Sequence, residues 1–548
     1  MAQRHAGQVI VDALARHGVP RVYSVPGESF LAVLDGLYES AIETIVCRQE
    51  GGAGYMAEAH GKLTGEPGVA LVTRGPGAAN AMVAVHAAWQ DATPMVLFVG
   101  LIPTAHRQRE AFQAFDIRAW FGTQAKRVFV LDCAERAGAI VAEAFHAARA
   151  GRPGPVVVGL PEDVVSAAVA VDDHPVLPVA EGGVSAADRA CIRDALAGAE
   201  RPLLFIGGPR WTATAAAAVT AFAERYDIPV VHDWRASDRI PFDSPVNVGW
   251  LGYGRGDHAA RLLADADVLL SIGALPTDVP SDGYTLRQSM QATHIAVHID
   301  PELRGRSGAL THHVLAAPTA LVEALAGLDP SPAVDRTEWR ADARAAQAAF
   351  AELPALSRLP ETAVGTVHMT RVVAEVVARL PADAIHCFGA GNHCFWAQRY
   401  LPTRVFPSQL SLRNGSMGYS VPAAVAASLE CPERTIVAIA GDGEFSMNGQ
   451  ELATAVQHGA AMLVVVMDNR QFATIRAHQE ARFPGRISGT RLHNPDFAAL
   501  GRAYGGHGET VTADDQAAPA VERALAVVQR ERRPAVVHVH TDQRFDAP

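Results

Sequence analysis

Short apolar runs alternate with amphipathic stretches along almost the whole chain. RVYSVPG, TIVCRQE, VALVTRG and PMVLFVG each read as a buried strand that ends in a turn or a polar group. Between them SFLAVLDGLYES and GAGYMAEAHGKLTG read as helices, and GRPGPVVVGLPEDV adds a strand near Val156. This alternation predicts a parallel sheet covered by helices. Next, SAAVAVDDHPVLPVAEGG is Pro- and Ala-rich and reads as a linker. A second block runs through RPLLFIGG, IPVVHDW, ADVLLSIGA and THIAVHID and ends near Leu328. GLDPSPAVDRTEW reads as a second linker, leading into an Ala-rich helix. The third block starts near Met369, with strands in AIHCFGAG, TRVFPS, TIVAIAG, AMLVVVMD and PAVVHVHTD. The expected fold is α/β: three doubly wound parallel-sheet domains over residues 1–168, 188–328 and 365–548.

Composition agrees with this picture. The 548 residues exceed one compact core and fit about three domains. Hydrophobic residues at 49 % and charged residues at 19 % describe a packed protein, the reverse of a disordered one. A net charge of −11 argues against binding nucleic acid or an acidic membrane through bulk electrostatics. The six cysteines form no CxxC pair and no zinc-like spacing with histidine, so they read as reduced thiols. The N-terminus reads as an amphipathic helix, and no apolar run approaches the roughly 20 residues of a membrane span. The expected location is the cytoplasm.

Two apolar runs of the third block carry the candidate chemistry. TIVAIA leads to Asp442, and AMLVVV leads to Asp468 and Asn469. Open α/β sheets bind ligands at the carboxyl ends of their strands. Asp442 and Asn469 lie 27 residues apart, which accommodates a turn, one helix (NGQELATAVQHG) and the next strand. The two strands can then be neighbours in one βαβ unit, with both side chains converging on one point. A carboxylate, an amide oxygen and the Gln471 carbonyl make half an oxygen shell, which phosphate oxygens and water could complete around Mg²⁺. Gly441 and Gly443 allow the backbone to approach a diphosphate closely, with a helix N-terminus beyond.

GDG followed at this spacing by a DN pair resembles the thiamine-diphosphate motif. The chain is similar to the acetolactate synthase-like group of thiamine-diphosphate (ThDP) enzymes, which includes pyruvate oxidase, benzoylformate decarboxylase and pyruvate decarboxylase. VPGESF, RQEGGAGYMAEAHGKLTG, TRGPGAANAM, AFQAFD, GRPGPVVVGLPEDV, GAGNHCFWAQ, NGSMGYSVPAA and GDGEFSMNGQELATA carry the resemblance, in the family's order and over nearly the whole chain. It implies ThDP and Mg²⁺ as cofactors, with Asp442, Asn469 and Gln471 as metal ligands. ThDP works as a carbanion carrier, and its aminopyrimidine needs a carboxyl group on the ring nitrogen to reach the active tautomer. The resemblance places that acid at Glu50, at the end of the run TIVC, where a partly desolvated carboxyl can share a proton. Met417, flanked by Gly415 and Gly418, matches the apolar wedge that bends the cofactor. Asn392 and His393 match diphosphate contacts, and GPGAAN, ending in Asn80, looks like the loop near the thiazolium. Pro26, Gly27, Gly441, Gly443 and Glu444 complete the implied cofactor site. In this family one site draws its two cofactor-binding domains from different subunits, which implies a homodimer or homotetramer.

The implied reaction is decarboxylation of a 2-oxo acid with transfer of the acyl carbanion to a carbonyl acceptor. The alternative is a decarboxylase that simply releases the aldehyde. Phe112 and Gln113 in AFQAFD resemble the Phe-Gln pair of acetolactate synthases, and no paired histidines of the pyruvate decarboxylase kind occur in the first block. Both features favour carboligation, with Gln113 on the substrate side. Phe472 and Ile475 remain as expected pocket lining, whereas His478 stands in place of a family Trp. Two readings stand for Glu28: a second acid over the substrate, or a residue that starts the next helix. Two stand for Arg74: a group for a substrate carboxylate, or a structural ion pair. The middle domain can hold FAD in some relatives, but Leu275 occupies the position where an Arg is usual, so FAD is not the expectation. A nucleotide-binding oxidoreductase would need a GxGxxG turn with a following acid, and no clear example occurs.

Overall fold

Valine, isoleucine, leucine and alanine fill the strands because both faces of each sheet are covered by helices. The computed structural model describes residues 4–286, 292–303, 306, 310–331, 335–545 and 547–548. Among them are three six-stranded sheets, and every pairing within these sheets is parallel. A short antiparallel pair, Arg4–His5 with Ala168–Val169, ties the chain start to the end of the first unit. Part of the second linker, residues 332–334, lies outside the described residues.

The first sheet runs Glu43–Val46, Arg21–Ser24, Gly68–Val72, Met95–Leu101, Pro155–Pro161, Arg127–Val130 across its width. The third runs Gln409–Leu410, Ile385–Phe388, Ile436–Gly441, Leu463–Asp468, Ala535–His540, His507–Val511. Counted within each unit, both have the strand order 2-1-3-4-6-5. The middle sheet, from Asn247–Leu251 to His312–Val314, has the order 3-2-1-4-5-6. In the outer sheets the direction of winding reverses between the first and third strands, which opens a crevice there.

The two outer units share one core. Helix Glu50–Thr64 of the first packs on helix Ser420–Glu430 of the third, with Tyr55 against Tyr419 edge-on at 5.4 Å. Inside this contact Glu58 is fully buried. It accepts hydrogen bonds from Tyr419 at 2.6 Å and Thr93 at 2.8 Å, and pairs with Lys62 at 3.3 Å. Burial raises the Glu58 pKa, and its partners oppose that.

Several elements differ from expectation. TRVFPS is not a strand, and pairing starts one step later at Gln409–Leu410. Pro402 precedes that stretch and Pro407 lies within it, and each lacks the N–H a ladder needs. Glu50 is not a strand-end residue. The strand stops at Val46, and Glu50 opens a helix whose N-cap Gln49 accepts from the Gly52 N–H at 3.0 Å. NGQELATAVQHG belongs to two short helices, Asp442–Asn448 and Glu451–Gln457. The Ala-rich helix after the second linker, Thr337–Ala351, packs on the middle sheet, where Trp339 donates to the Pro202 carbonyl at 3.0 Å.

Candidate active site

The strands Ile436–Gly441 and Leu463–Asp468 are direct neighbours, with Gly441 opposite Met467. Asp442 and Asn469 therefore leave the sheet side by side. They line one cavity of about 210 Å³ together with Gln471, Met417, His393 and Glu444. The cavity lies over the crevice between the first and third strands of the unit. Gly441 and Gly443 keep it open. A Cβ at Gly441 would fall 2.8 Å from His393 Nδ1, and one at Gly443 would fall 2.4 Å from Phe472 Cε1. Gly415 and Gly418 have φ of 67° and 82°, the left-handed region that glycine tolerates, and they present Met417 between them. Met417 is half-buried and lines the cavity instead of the core.

The base of the cavity carries charge. His393 Nε2 lies 2.6 Å from Glu444 Oε2, and both residues are buried. Glu444 Oε1 accepts from the Ser420 N–H at 3.1 Å. Burial works against a charged His393, but Cys394 and the Glu444 carboxylate outweigh it and raise the ring to about 10. Asn392 Oδ1 accepts from Thr474 at 2.7 Å, which joins the loop after the first strand to the segment beyond Asn469. In that segment Asn469 Oδ1 accepts from the Gln471 N–H at 3.2 Å, the Gln471 carbonyl accepts from the Ala473 N–H at 3.0 Å, and Gln471 Oε1 accepts from Arg476 at 2.5 Å. Phe472 and Ile475 form the outer wall, whereas His478 is exposed and is not part of the lining.

Asp442 is 3 % exposed and faces Asp468. Burial first, and the Asp468 charge second, raise its pKa to about 6. Burial also pushes Asp468 up, but hydrogen bonds from His538 and Asn494 outweigh this and hold it at about 2. Sequence reasoning missed Asn494 and His538. For His538 the signal was present, since HVH places histidines in an otherwise apolar buried strand. For Asn494 there was none, because it reaches the site only through the return of a loop 25 residues past Asn469.

The remaining candidates sit at the carboxyl edge of the first sheet, and none of them lines the cavity. Glu50 accepts from Asn80 Nδ2 at 2.9 Å. Pro26 and Gly27 follow the first strand, and a Cβ on Gly27 would strike Thr73 at 2.6 Å. Glu28 opens a short 3₁₀ turn and accepts from Arg74 at 2.8 Å. Arg74 is buried and also donates to Glu162 at 2.5 Å. Gln113 has φ of 60°, and its carbonyl accepts from the Gly75 N–H at 3.3 Å. Phe112 is 74 % exposed.

A further cleft of about 670 Å³ opens at the strand ends of the middle sheet, past Gly208 and Gly273. Leu275 lines it, and Arg152, Arg306 and Arg413 enter it from other directions.

The donor set around the first cavity fits a divalent cation on a diphosphate: hard oxygen donors at two adjacent strand ends, backbone kept close by glycine, and a cationic ring at the base. Comparison with known proteins agrees with that chemistry. Residues 4–120 match the thiamine pyrophosphate enzyme N-terminal TPP binding domain, residues 190–325 the central domain, and residues 389–539 the C-terminal TPP binding domain. The chain is 31 % identical to the acetolactate synthase isozyme 2 large subunit of Escherichia coli, over 98 % of this chain and 96 % of that protein. It is 32 % identical to an acetolactate synthase large subunit of Parasynechococcus marenigrum, over 97 % and 86 %. A Corynebacterium glutamicum acetolactate synthase large subunit is 30 % identical over 95 % and 85 %. With three matching domains and this extent of identity, the chain belongs to the thiamine pyrophosphate enzyme family, among proteins similar to acetolactate synthase large subunits.

Proposed function

We propose that this protein is a ThDP- and Mg²⁺-dependent carboligase, which decarboxylates a 2-oxo acid and joins the acyl unit to a second carbonyl compound. The observation that carries the reading is the convergence of Asp442, Asn469 and Gln471 on one cavity with Met417 and His393. Asp442, Asn469 and Gln471 would hold Mg²⁺, and Gly441, Gly443, Asn392 and His393 would receive the diphosphate. A protonated His393 offsets diphosphate charge, while Glu444 behind it fixes the ring. Met417, which lines the cavity, would be the apolar contact beneath the cofactor. When bound, ThDP supplies an acidic carbon that adds to the 2-oxo carbonyl and accepts the electron pair freed as CO₂ leaves.

Glu50 shares a proton with the pyrimidine ring nitrogen, and Asn80 orients its carboxyl. Glu50 lies at a different sheet edge from the cavity, which supports a site completed by the Glu50 of a second subunit. The working form is a homodimer or homotetramer, expected in the cytoplasm. No helix among the described residues is long and apolar enough to cross a membrane. Phe472 and Ile475 wall the substrate side, with Phe112 and Gln113 delivered by the partner. Arg74 is held by Glu28 and Glu162, which supports its reading as a structural ion pair. The middle cleft offers three arginines but has Leu275 just past the strand end, and FAD has no part in the proposed reaction.

The test is product mass spectrometry with purified protein, ThDP, Mg²⁺ and a panel of 2-oxo acids, with and without aldehyde acceptors. The relatives are acetolactate synthases, so acetolactate is the first product to seek. A coupled hydroxyketone or hydroxy acid is expected. Free aldehyde as the sole product would overturn the carboligase reading in favour of a simple decarboxylase.

A further inference from the structure

Asn494 touches both strand-end carboxylates with one nitrogen. Its Nδ2 donates to Asp442 Oδ2 at 2.7 Å and to Asp468 Oδ1 at 2.8 Å. An amide carries two protons on that nitrogen, one for each acid. The other oxygens are also held: Asp442 Oδ1 accepts from the Gly443 N–H at 2.9 Å, and Asp468 Oδ2 lies 2.9 Å from His538 Nε2. Asp442, Asp468 and His538 are all buried.

The chain brings Asn494 here by a defined route. Beyond Asn469 it leaves the sheet, forms helix Ala473–Arg482 and returns antiparallel to itself. Phe472 N–H donates to the Thr490 carbonyl and Leu492 N–H to the Arg470 carbonyl, both at 2.8 Å. Two residues past Asn494, Asp496 caps helix Phe497–Ala503 by accepting from the Ala499 N–H at 3.0 Å. Asn494 is thus fixed on both sides. Asp468, His538 and His540 also come within 4.8 Å of one another. A guanidinium nitrogen of Arg470 lies 3.3 Å from His540 Nδ1, so a cation already occupies that corner.

We propose that Asn494 is a positioning residue for the divalent cation: by bridging Asp442 to the His538-anchored Asp468, it aims the Asp442 carboxylate at the metal. This rests on the reading of Asp442 as a metal ligand. Two facing carboxylates repel, and without the shared amide Asp442 keeps only the Gly443 N–H of the two hydrogen bonds that fix its carboxylate. Groups that orient a metal ligand in this way typically contribute 10–100-fold in metal affinity.

The experiment is a Mn²⁺ titration of the full-length protein with ThDP, reading free Mn²⁺ by electron paramagnetic resonance. Asn494→Leu keeps the bulk and removes both donors. It is expected to weaken Mn²⁺ roughly 10–100-fold, with kcat recovered at saturating Mg²⁺. Asn494→Gln, which restores an amide on a longer stem, should recover part of the affinity. Far-UV circular dichroism verifies folding. If Asn494→Leu does not fold, Asn494→Ser, with one donor and so one bridge fewer, carries the same expectation. Wild-type affinity in a folded donor-deficient variant overturns the inference. Wild-type affinity in Asp442→Ala would instead overturn the metal-site reading beneath it.

Discussion

The first and third sheets share the strand order 2-1-3-4-6-5, and each opens between its first and third strands, yet the two openings differ in chemistry. At the third sheet the opening is a cavity backed by cross-linked polar groups: contacts run from Asp442 through Asn494 to Asp468 and His538 behind it, and His393 pairs with Glu444 in its lining. At the first sheet the same opening is occupied by the Arg74 ion pairs with Glu28 and Glu162, and Glu50 has Asn80 beside it. One edge gathers buried oxygen donors and a cationic ring around a cavity. The other has two of its carboxylates, Glu28 and Glu162, paired with Arg74, leaves Glu50 with an amide partner only, and exposes Phe112. The same topology serves two roles because side chains at strand ends are free to vary without disturbing the strands.

Disabling each edge in turn separates their roles. Asp442→Ala should leave the protein folded but without ThDP after desalting, measured by chromatography of the released cofactor. Glu50→Gln should keep the cofactor and slow hydrogen exchange at its reactive carbon by roughly 10²–10⁴-fold, the usual weight of a positioned acid–base group. Full exchange in this variant would remove Glu50 from its role. Mixing the two inactive variants under conditions of subunit exchange tests whether the edges meet across chains. Random dimers should recover roughly one quarter of wild-type activity, since half are mixed and each mixed dimer holds one intact site. No recovery would place both edges of a site in one chain.

A smaller effect concerns pH. In the metal-free protein Asp442 titrates at about 6, above its ordinary 3.8. The folded state then binds this proton more tightly than the unfolded chain, so stability from this group declines as pH rises from about 4 to about 6. Metal-free Asp442→Asn should be more stable than wild type by about 1–3 kcal/mol at pH 7, with the gain absent near pH 4. Denaturant unfolding at the two pH values measures it, and an equal gain at both would refute the assignment. The smallest change is expected from Phe112→Ser. Phe112 is exposed in one chain, so the stability of the isolated fold should move by no more than about 0.5 kcal/mol. A larger loss, read at dimer-forming concentrations, would locate this side chain in the contact between subunits.

Much of the fold is legible in the run of residues. Apolar strands such as Ile436–Gly441 and Leu463–Asp468 advertise themselves because both faces are buried. The strands of these sheets that escaped notice, Arg127–Val130, Asn247–Leu251, His312–Val314 and His507–Val511, all stand at sheet edges, each with a neighbouring strand on one side only. TRVFPS has the composition of a strand, but Pro407 within it has no N–H to give a ladder. In the site, Asp442 and Asn469 are legible because both stand where an apolar run stops, and a βαβ step makes such stops neighbours. Arg74 could not be resolved from sequence, since its partner Glu162 lies 88 residues away.

The three α/β units, the pair of strand ends that carry oxygen donors and the glycines around them follow from local periodicity and from chain steps of fixed length, and so are written in the residue order. The balance of the acids is set by the fold in space. Asn494 reaches Asp442 and Asp468 because a loop folds back on itself, and His538 reaches Asp468 because two distant strands pair in register. The strength of a buried charge depends on which groups surround it in space, and no spacing along the chain encodes that.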